Sequence, residues 1–289
     1  MRDPLMNICR FAHRDCVHIG LVGEDLVVID LAPAGITELT PLLEDARLAA
    51  SLSRMETKAF PRMPLSEVKL LAPVERQEIW AAGVTYLRSK TARMEESEFS
   101  ATAYDKVYAA ERPELFFKSV AEKVVPCGAP VGIRDDATWS VPEPELALVL
   151  NSRGDVVGHT IGNDMSSRDI EGENLLYLPQ AKIYERSCAL GPWITLGADE
   201  ATAREWKIGI EIRRAGKIVF AGETSVGQIK RTFKELAGFL FRCQKFPNGA
   251  VLLTGTGVVP PDTFTLQSCD DVSIRISGIG LLQNAVMLV

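Results

Sequence analysis

The feature that most constrains this chain is a pair of glutamates leading directly into an apolar run. Glu143 and Glu145 alternate with Pro142 and Pro144, and residues 146–150 (Leu-Ala-Leu-Val-Leu) follow at once. Each proline fixes its own φ and pushes the preceding residue toward extended geometry. An apolar run of this length is typical of a buried strand. Because strand side chains alternate with a period of two, both glutamates are expected to point to one side.

A third carboxylate is expected beside this pair. Residues 156–161 are predicted as a second strand, which brings Asp164 to a strand end. A glutamate pair on a strand is most often a solvated edge, but carboxylates at the mouth of a buried strand need a partner, because an unpaired buried charge is costly. Three carboxylates without clustered Cys or His suit a hard divalent cation. The sequence therefore predicts a Mg²⁺ site on Glu143, Glu145 and Asp164, with Lys182 and Arg168 as supplementary groups.

Three segments of the chain together resemble the fumarylacetoacetate hydrolase family. They are residues 143–145 (Glu-Pro-Glu), 162–169 (Gly-Asn-Asp-Met-Ser-Ser-Arg-Asp) and 254–257 (Thr-Gly-Thr-Gly). The likeness extends over residues 74–289. Within the family, residues 171–174 and 177–184 look most like the 2-keto-3-deoxy-arabinonate and 2-keto-3-deoxy-xylonate dehydratases.

This resemblance has implications for the fold, the cofactor and the assembly. It implies a mixed β-sheet roll, assembled as a homodimer or homotetramer. It also implies Mg²⁺ on Glu143, Glu145 and Asp164, with Mn²⁺ or Ca²⁺ as substitutes. Lys182 is implied to reach into the same pocket.

The N-terminal part of the chain is predicted to form a small α/β domain. Three short strands are predicted at residues 8–12, 17–22 and 26–31. An apolar stripe predicts a helix over residues 39–52. The prolines in residues 61–64 predict a linker, since proline continues neither a helix nor a sheet ladder. We therefore predict an N-terminal domain at residues 1–66 and a catalytic domain at residues 67–289.

The catalytic part is predicted to be rich in strands. Residues 206–213 and 218–220 alternate as the two arms of a hairpin. Ser225 and Gln228 fit a capping box that would start the clearest helix of the chain. The apolar residues that follow lie at helical spacing: Ile229, Phe233, Leu236 and Leu240. Many strands and few helices predict an α+β fold that is predominantly β.

Charge, cysteine content and apolar runs indicate which partners and which compartment suit the protein. The net charge is −6 and the pI is near 5.3, which argues against a surface for nucleic acid or an anionic membrane. The six cysteines are scattered without Cys-x-x-Cys spacing, which indicates buried free thiols in a reducing compartment. No apolar run approaches the roughly 18 to 20 residues of a membrane helix. We expect a cytoplasmic enzyme with a small-molecule 2-oxo acid as its substrate.

Hydrolytic members of the family carry a Tyr-x-x-His-x-x-Glu motif that activates the attacking water. The matching positions here are Tyr86, Ser89 and Ala92, so both the base and its orienting carboxylate are absent. This departure argues against C–C hydrolysis and favours chemistry without an activated water, such as dehydration, hydration, decarboxylation or tautomerisation. His159 and Asp164 are an odd number of positions apart on one predicted strand. Their side chains are therefore expected to lie on opposite faces of that strand, unless a bulge intervenes.

The predicted activity is that of a lyase (hydro-lyase). A Mg²⁺-dependent dehydratase would convert a 2-keto-3-deoxy-pentonate to 2,5-dioxopentanoate through a metal-stabilised enolate. Lys182 and Glu114 are the candidate acid and base. Three carboxylates and one Mg²⁺ sum to a charge near −1, which favours a charged Lys182 and leaves Glu114 as the base. The alternatives are an acylpyruvate hydrolase that cleaves a C–C bond, and a non-catalytic 2-oxo-acid binding protein.

A set of substrate-binding residues completes the predicted site. In residues 254–257, backbone N–H groups and a hydroxyl could bind a substrate carboxylate. The predicted substrate-binding residues are Thr85, Ser89, Arg168, Gln180, Gly255 and Thr256.

Overall fold

The computed structural model of the chain describes residues 5–14, 16–23, 25–45, 47–55, 57–86 and 106–289. Within these ranges the chain is predominantly β, as its patterning predicts. The strands are β1 (Met6–His13), β2 (Cys16–Val22), β3 (Val27–Asp30), β4 (Arg62–Pro64), β5 (Lys69–Leu71), β6 (Glu78–Gly83), β7 (Glu114–Val120), β8 (Val131–Ile133), β9 (Ser140–Val141), β10 (Pro144–Leu150), β11 (Val156–Asp164), β12 (Ser166–Ser167), β13 (Cys188–Leu196), β14 (Lys207–Arg214), β15 (Lys217–Ser225), β16 (Ala250–Leu253), β17 (Asp271–Ile276) and β18 (Gly280–Leu288).

Besides the helical residues 106–109, the α-helices in the same ranges are short, and the longest has eight residues. They are α1 (Leu39–Leu42), α2 (Leu48–Ser53), α3 (Arg168–Glu173), α4 (Leu178–Lys182), α5 (Glu200–Arg204) and α6 (Phe233–Leu240). None of these helices is long and apolar enough to cross a membrane. The architecture is therefore set by the sheets.

The predicted buried strand lies in the middle of a large sheet. Across the described residues, eleven strands form this sheet in the order β4-β3-β2-β1-β13-β11-β10-β16-β6-β7, with β5 paired to β1. β10 is antiparallel to both of its neighbours, β11 and β16. Residues 146–150 are fully buried, with alternate side chains in two different apolar clusters. Because both faces of β10 are covered, its sequence is apolar throughout and does not alternate.

A second sheet packs over one face of the first. Its strand order is β15-β14-β17-β18-β8. Leu146 and Leu148 of the large sheet share one apolar cluster with Ile210 and Ile274 of the second sheet. The predicted hairpin is confirmed as β14 and β15, whose turn residues Ala215 and Gly216 have φ values of 48° and 78°. Positive φ at both central residues is typical of the two-residue turns that join hairpin strands.

The N-terminal strands belong to the large sheet, because β1 pairs with β13 and places Ile8 opposite Ile194. The linker predicted at residues 61–64 was wrong, since Arg62–Pro64 forms β4 and pairs with β3. β4 lies at the edge of the sheet, where a proline without an N–H group is tolerated. The domain division at residue 66 stays a prediction.

The helix predicted over residues 39–52 is interrupted between α1 and α2. The Asp45 carboxylate accepts hydrogen bonds from the Arg47 N–H at 2.8 Å and from the Ser51 hydroxyl at 2.6 Å. An aspartate that binds nearby N–H groups in this way competes with continued helical hydrogen bonding. The apolar stripe therefore spans two short helices.

The predicted start of the clearest helix was also wrong. Ser225 caps a single 3₁₀ turn at Val226–Gln228, where its hydroxyl accepts from the Gly227 N–H. α6 begins only at Phe233, and the Thr232 hydroxyl accepts from the Glu235 N–H at 3.1 Å. The cap of α6 is therefore Thr232, a favoured N-cap residue that the capping-box match at Ser225 obscured.

Candidate metal centre

Glu143, Glu145 and Asp164, together called the acidic trio, converge at one end of the β10–β11 pair. β10 and β11 are antiparallel, so the start of β10 lies beside the end of β11, with Glu145 opposite Gly162. The Asp164 N–H also donates to the Glu143 carbonyl at 3.0 Å. One carboxylate oxygen from each trio residue lies within 4.8 Å of the others, and all three residues are buried. The structure thus brings together the three residues predicted as metal ligands.

Two members of the trio are held by donors outside it. Oε1 of Glu143 accepts from the Arg168 guanidinium at 3.1 Å. Oε2 of Glu145 accepts from the Gly255 N–H at 2.5 Å. Gly255 has a φ of +91°, and a Cβ there would lie 2.0 Å from the Thr85 hydroxyl oxygen. A glycine is therefore required at position 255 both for its backbone conformation and for space.

The third member is held by a lysine that the sequence analysis missed. Nζ of Lys118 lies 2.5 Å from Oδ1 of Asp164. It also donates to the Met165 carbonyl at 3.0 Å and to the Lys182 carbonyl. Lys118 is fully buried in β7. The sequence does contain a clue to this role. Lys118 directly follows Phe116 and Phe117, and a charge within an apolar strand needs a partner.

Lys182, the last residue of α4, lies among the inner oxygens of the trio. Its Nζ donates to Oε2 of Glu143 at 2.9 Å, to Oδ2 of Asp164 at 3.0 Å and to the Ser166 hydroxyl at 2.5 Å. The same atom is 5.8 Å from the centre of the Phe116 ring. One oxygen of each trio member is thus held from outside, and the second oxygens of Glu143 and Asp164 turn toward Lys182.

The electrostatics of the trio fit a divalent cation. The pKa of Glu145 is raised well above its ordinary value, first by burial and then by the neighbouring Asp164 and Glu143 carboxylates. The Gly255 N–H and Lys182 oppose this shift. An all-oxygen donor set is the chemistry that Mg²⁺ prefers, and a cation would offset the repulsion among the carboxylates. The acidic trio could therefore hold a metal ion.

Glu114, the predicted base, is the first residue of β7. It is opposite Gly83 of β6, and its carboxylate folds over that glycine. A Cβ at position 83 would lie only 1.9 Å from Oε2 of Glu114, so the carboxylate occupies the space that a side chain would fill. Glu114 is half-buried and two residues from Phe116, whose ring lies near Lys182. Alternate residues of a strand share a face, which puts Glu114 on the face of Phe116.

Arg168, predicted to bind substrate, is engaged within the protein. Its guanidinium contacts Glu143 and lies 3.6 Å from Oε2 of Glu171. It also lies 5.8 Å from the centre of the Trp139 ring, and it is buried. These contacts make Arg168 a support for Glu143.

The other predicted substrate-binding residues are distributed unevenly. The Thr85 hydroxyl donates to the Thr254 carbonyl at 2.6 Å, beside the Gly255 N–H that binds Glu145. The Thr256 hydroxyl donates to the Val258 carbonyl. Gln180 is exposed on α4, and its carbonyl accepts from Arg134. Ser89 lies outside the described residues.

Several known proteins resemble this chain. A probable 2-keto-3-deoxyxylonate dehydratase of Haloferax volcanii is 47% identical over 217 residues, which is 75% of this chain and 74% of the relative. The 2-dehydro-3-deoxy-D-arabinonate dehydratase of Saccharolobus solfataricus is 38% identical over 221 residues, with the same shares covered. A solved structure of 2-keto-3-deoxy-D-arabinonate dehydratase, complexed with magnesium and 2,5-dioxopentanoate, superposes with a TM-score of 0.83. That chain is 31% identical, and the match covers 98% of this chain and 99% of the other.

The family assignment depends on the catalytic part of the sequence. The family model for the C-terminal region of fumarylacetoacetate hydrolase matches residues 78–287, well over half of the chain. The fold match over nearly the whole length confirms the predicted α+β, predominantly β architecture. The chain therefore belongs to the fumarylacetoacetate hydrolase family.

Proposed function

We propose that this protein is a Mg²⁺-dependent hydro-lyase that removes water from a 2-keto-3-deoxy sugar acid. The proposed substrate is a pentonate, such as 2-keto-3-deoxy-arabinonate or 2-keto-3-deoxy-xylonate, and the product is 2,5-dioxopentanoate. The observation that carries the proposal is the convergence of the acidic trio and Lys182 in one buried cluster. The dehydratase relatives and the Mg²⁺-bound structural neighbour support the same substrate class.

In the proposed reaction Glu114 is the base and Lys182 is the acid. When bound, Mg²⁺ would supply a Lewis acid that polarises the 2-oxo group and makes the C3 protons acidic. Glu114 takes a C3 proton, and the electron pair of that C–H bond is delocalised in the enolate of the 2-oxo acid. The enolate electron pair then forms a C3=C4 double bond as the C4–O bond breaks, and Lys182 gives the leaving hydroxyl a proton to form water. Transfer of a proton from C5 to C3 then gives an enol at C5, which becomes the aldehyde of the product.

The contacts of Lys182 support its role as the acid. Its amine donates to three acceptors, Glu143, Asp164 and Ser166, and three donors require the ammonium form. The charge sum used in the sequence analysis omitted two fixed cations. Lys118 and Arg168 each pair with a trio carboxylate, so the negative charge of the trio is already largely offset. The proton-donor role of Lys182 therefore depends on hydrogen-bond geometry and not on an excess of negative charge.

The proposed function is tested by assaying a small panel of 2-keto-3-deoxy aldonates with Mg²⁺ and again with a chelator. We expect 2,5-dioxopentanoate from a pentonate with Mg²⁺, and no product after chelation. Turnover of none of the panel would contradict the proposal. The same preparation is assayed with 2,4-dioxo acids, because release of pyruvate there would instead support the C–C hydrolase alternative.

A further inference from the structure

Lys118 connects three parts of the candidate metal centre. It projects from β7, whereas Asp164 and Met165 lie at the end of β11 and Lys182 ends α4. Its Nζ contacts Oδ1 of Asp164 and the carbonyls of Met165 and Lys182. The ammonium donates hydrogen bonds to the two carbonyls and forms an ion pair with Oδ1 of Asp164. With its side chain completely buried, Lys118 is held in a single place.

This arrangement restricts how Asp164 can bind a cation. With Oδ1 paired to Lys118, Asp164 presents Oδ2 to the centre of the trio, where Lys182 also lies. Glu143 and Glu145 are restricted in the same way, by Arg168 and by the Gly255 N–H. Each carboxylate therefore offers one oxygen. Mg²⁺ takes six ligands at about 2.0–2.1 Å in near-octahedral geometry, whereas Ca²⁺ takes six to eight and readily uses both oxygens of a carboxylate.

We propose that Lys118 is a positioning residue that makes Asp164 a one-oxygen ligand and thereby sets a preference for Mg²⁺ over Ca²⁺. The inference rests on the proposed cation site. Partners that orient a ligand from outside the coordination shell tune metal affinity by roughly 10- to 100-fold. Lys118 is the most informative of the three outer donors to change, because Gly255 uses a backbone N–H and Arg168 also contacts Glu171.

Lys118→Met separates geometry from charge. Methionine keeps an unbranched apolar stem of similar length but has no donor, so Oδ1 of Asp164 becomes free to bind the cation. Loss of a positive charge affects the binding of two divalent cations in the same direction and to a similar extent. The ratio of the Ca²⁺ and Mg²⁺ dissociation constants therefore reports whether Asp164 binds the cation through one oxygen or through two. Lys217→Met, at an exposed position in the β14–β15 hairpin, is the matched control.

The experiment is calorimetric titration of metal-free wild type and both variants with MgCl₂ and with CaCl₂. We expect the ratio of Ca²⁺ to Mg²⁺ dissociation constants to fall by about tenfold in Lys118→Met and to stay unchanged in Lys217→Met. A ratio within twofold of wild type in Lys118→Met, with both ions bound, overturns the inference and leaves the cation site intact. If wild type binds neither Mg²⁺ nor Ca²⁺, the proposed cation site is overturned as well.

A second measurement needs no variant and applies even if Lys118→Met fails to fold. Crystals of the wild-type protein are soaked separately with Mg²⁺ and with Ca²⁺. We expect Asp164 to bind the Mg²⁺ ion through one oxygen, with Lys118 on the other. Asp164 bound to Mg²⁺ through both oxygens, with Lys118 turned away, would overturn the inference.

Discussion

At the scale of single residues, two buried lysines divide the oxygens of Asp164 between them. Lys118 takes Oδ1 and Lys182 takes Oδ2, so one carboxylate is fixed from both sides. Of these two lysines, Lys182 is the one that also contacts Glu143 and Ser166. This difference supports the proposal that Lys118 orients a ligand while Lys182 takes part in the proton chemistry.

Glu114→Gln tests the proposed base. Glutamine keeps the shape of the side chain over Gly83 but cannot accept a proton. We expect exchange of the C3 protons of 2-oxobutanoate with deuterated solvent, followed by NMR, to slow by roughly 10²- to 10⁴-fold. Unimpaired exchange in this variant would remove Glu114 from the base role. Mg²⁺ affinity measured on the same sample serves as the control, since Glu114 is outside the acidic trio.

Lys182→Met tests the proposed acid. The variant keeps an apolar stem near Phe116 but loses the proton donor. We expect kcat for dehydration to fall by roughly 10²- to 10⁴-fold, because proton transfer to the leaving hydroxyl is lost. Mg²⁺ binding, followed by calorimetry, should persist, since the trio carboxylates remain. Dehydration at a wild-type rate would contradict the assignment.

At the scale of secondary-structure elements, the site depends on which strands are neighbours. The trio was predictable because Glu145 and Asp164 lie on two strands that follow each other in sequence and pair directly, and Glu143 immediately precedes the first of them. Lys118 was not, since β7 reaches β10 only through β6 and β16, and a register shift interrupts the β6–β7 pairing. Local periodicity carries no information about such non-consecutive pairings. The same limit applies to Gly255, whose role follows from the position of β16 beside β10.

Gly255→Ala tests how the segment at residues 254–257 supports the candidate metal centre. Alanine at a φ of +91° is strained and would contact the Thr85 hydroxyl, so we expect a loss of roughly 1–3 kcal/mol in the free energy of unfolding. The Gly255 N–H should also move away from Glu145, which would weaken Mg²⁺ binding. The control is Gly216→Ala, because Gly216 also has a positive φ but no atom within 4 Å of a new Cβ. Equal Mg²⁺ affinity in the two variants, measured by calorimetry, would contradict a site role for Gly255.

At the scale of the whole molecule, the two large sheets of the described residues share a core, and long-range pairing decides their organisation. The N-terminal strands were predicted individually, but their union with the large sheet depends on β1 pairing with β13, far along the chain. All six cysteines are unpaired, but the expectation that they are buried was wrong for Cys16, Cys243 and Cys269, which are exposed. Assembly as a homodimer or homotetramer stays a prediction. His159 belongs to this shared core, with its ring 5.5 Å from Trp206 and 5.9 Å from Phe233.

His159 is predicted to make the fold sensitive to acid. Burial lowers its pKa from 6.5 to about 4, and neither ring nitrogen has a hydrogen-bond partner among the described residues. Below pH 6.5 the unfolded chain gains a proton that the folded chain does not, so stability is lost as the pH falls toward 4. Over this pH range, titration of His159 lowers the free energy of unfolding by roughly 3 kcal/mol in total.

The measurement for His159 is urea unfolding of wild type and His159→Leu at several pH values between 4 and 7. The variant should lose less stability than wild type on acidification. Both proteins are studied with a chelator present, so that carboxylate titration in the trio contributes equally to each. Parallel curves for the two proteins would contradict the prediction.

The most direct test of the cation site is anomalous diffraction from crystals soaked with Mn²⁺, which can substitute for Mg²⁺ at oxygen sites. The account predicts one strong peak among the acidic trio, about 2 Å from one oxygen each of Glu143, Glu145 and Asp164. No peak at that place, or three carboxylates that point away from one another around it, would contradict the account.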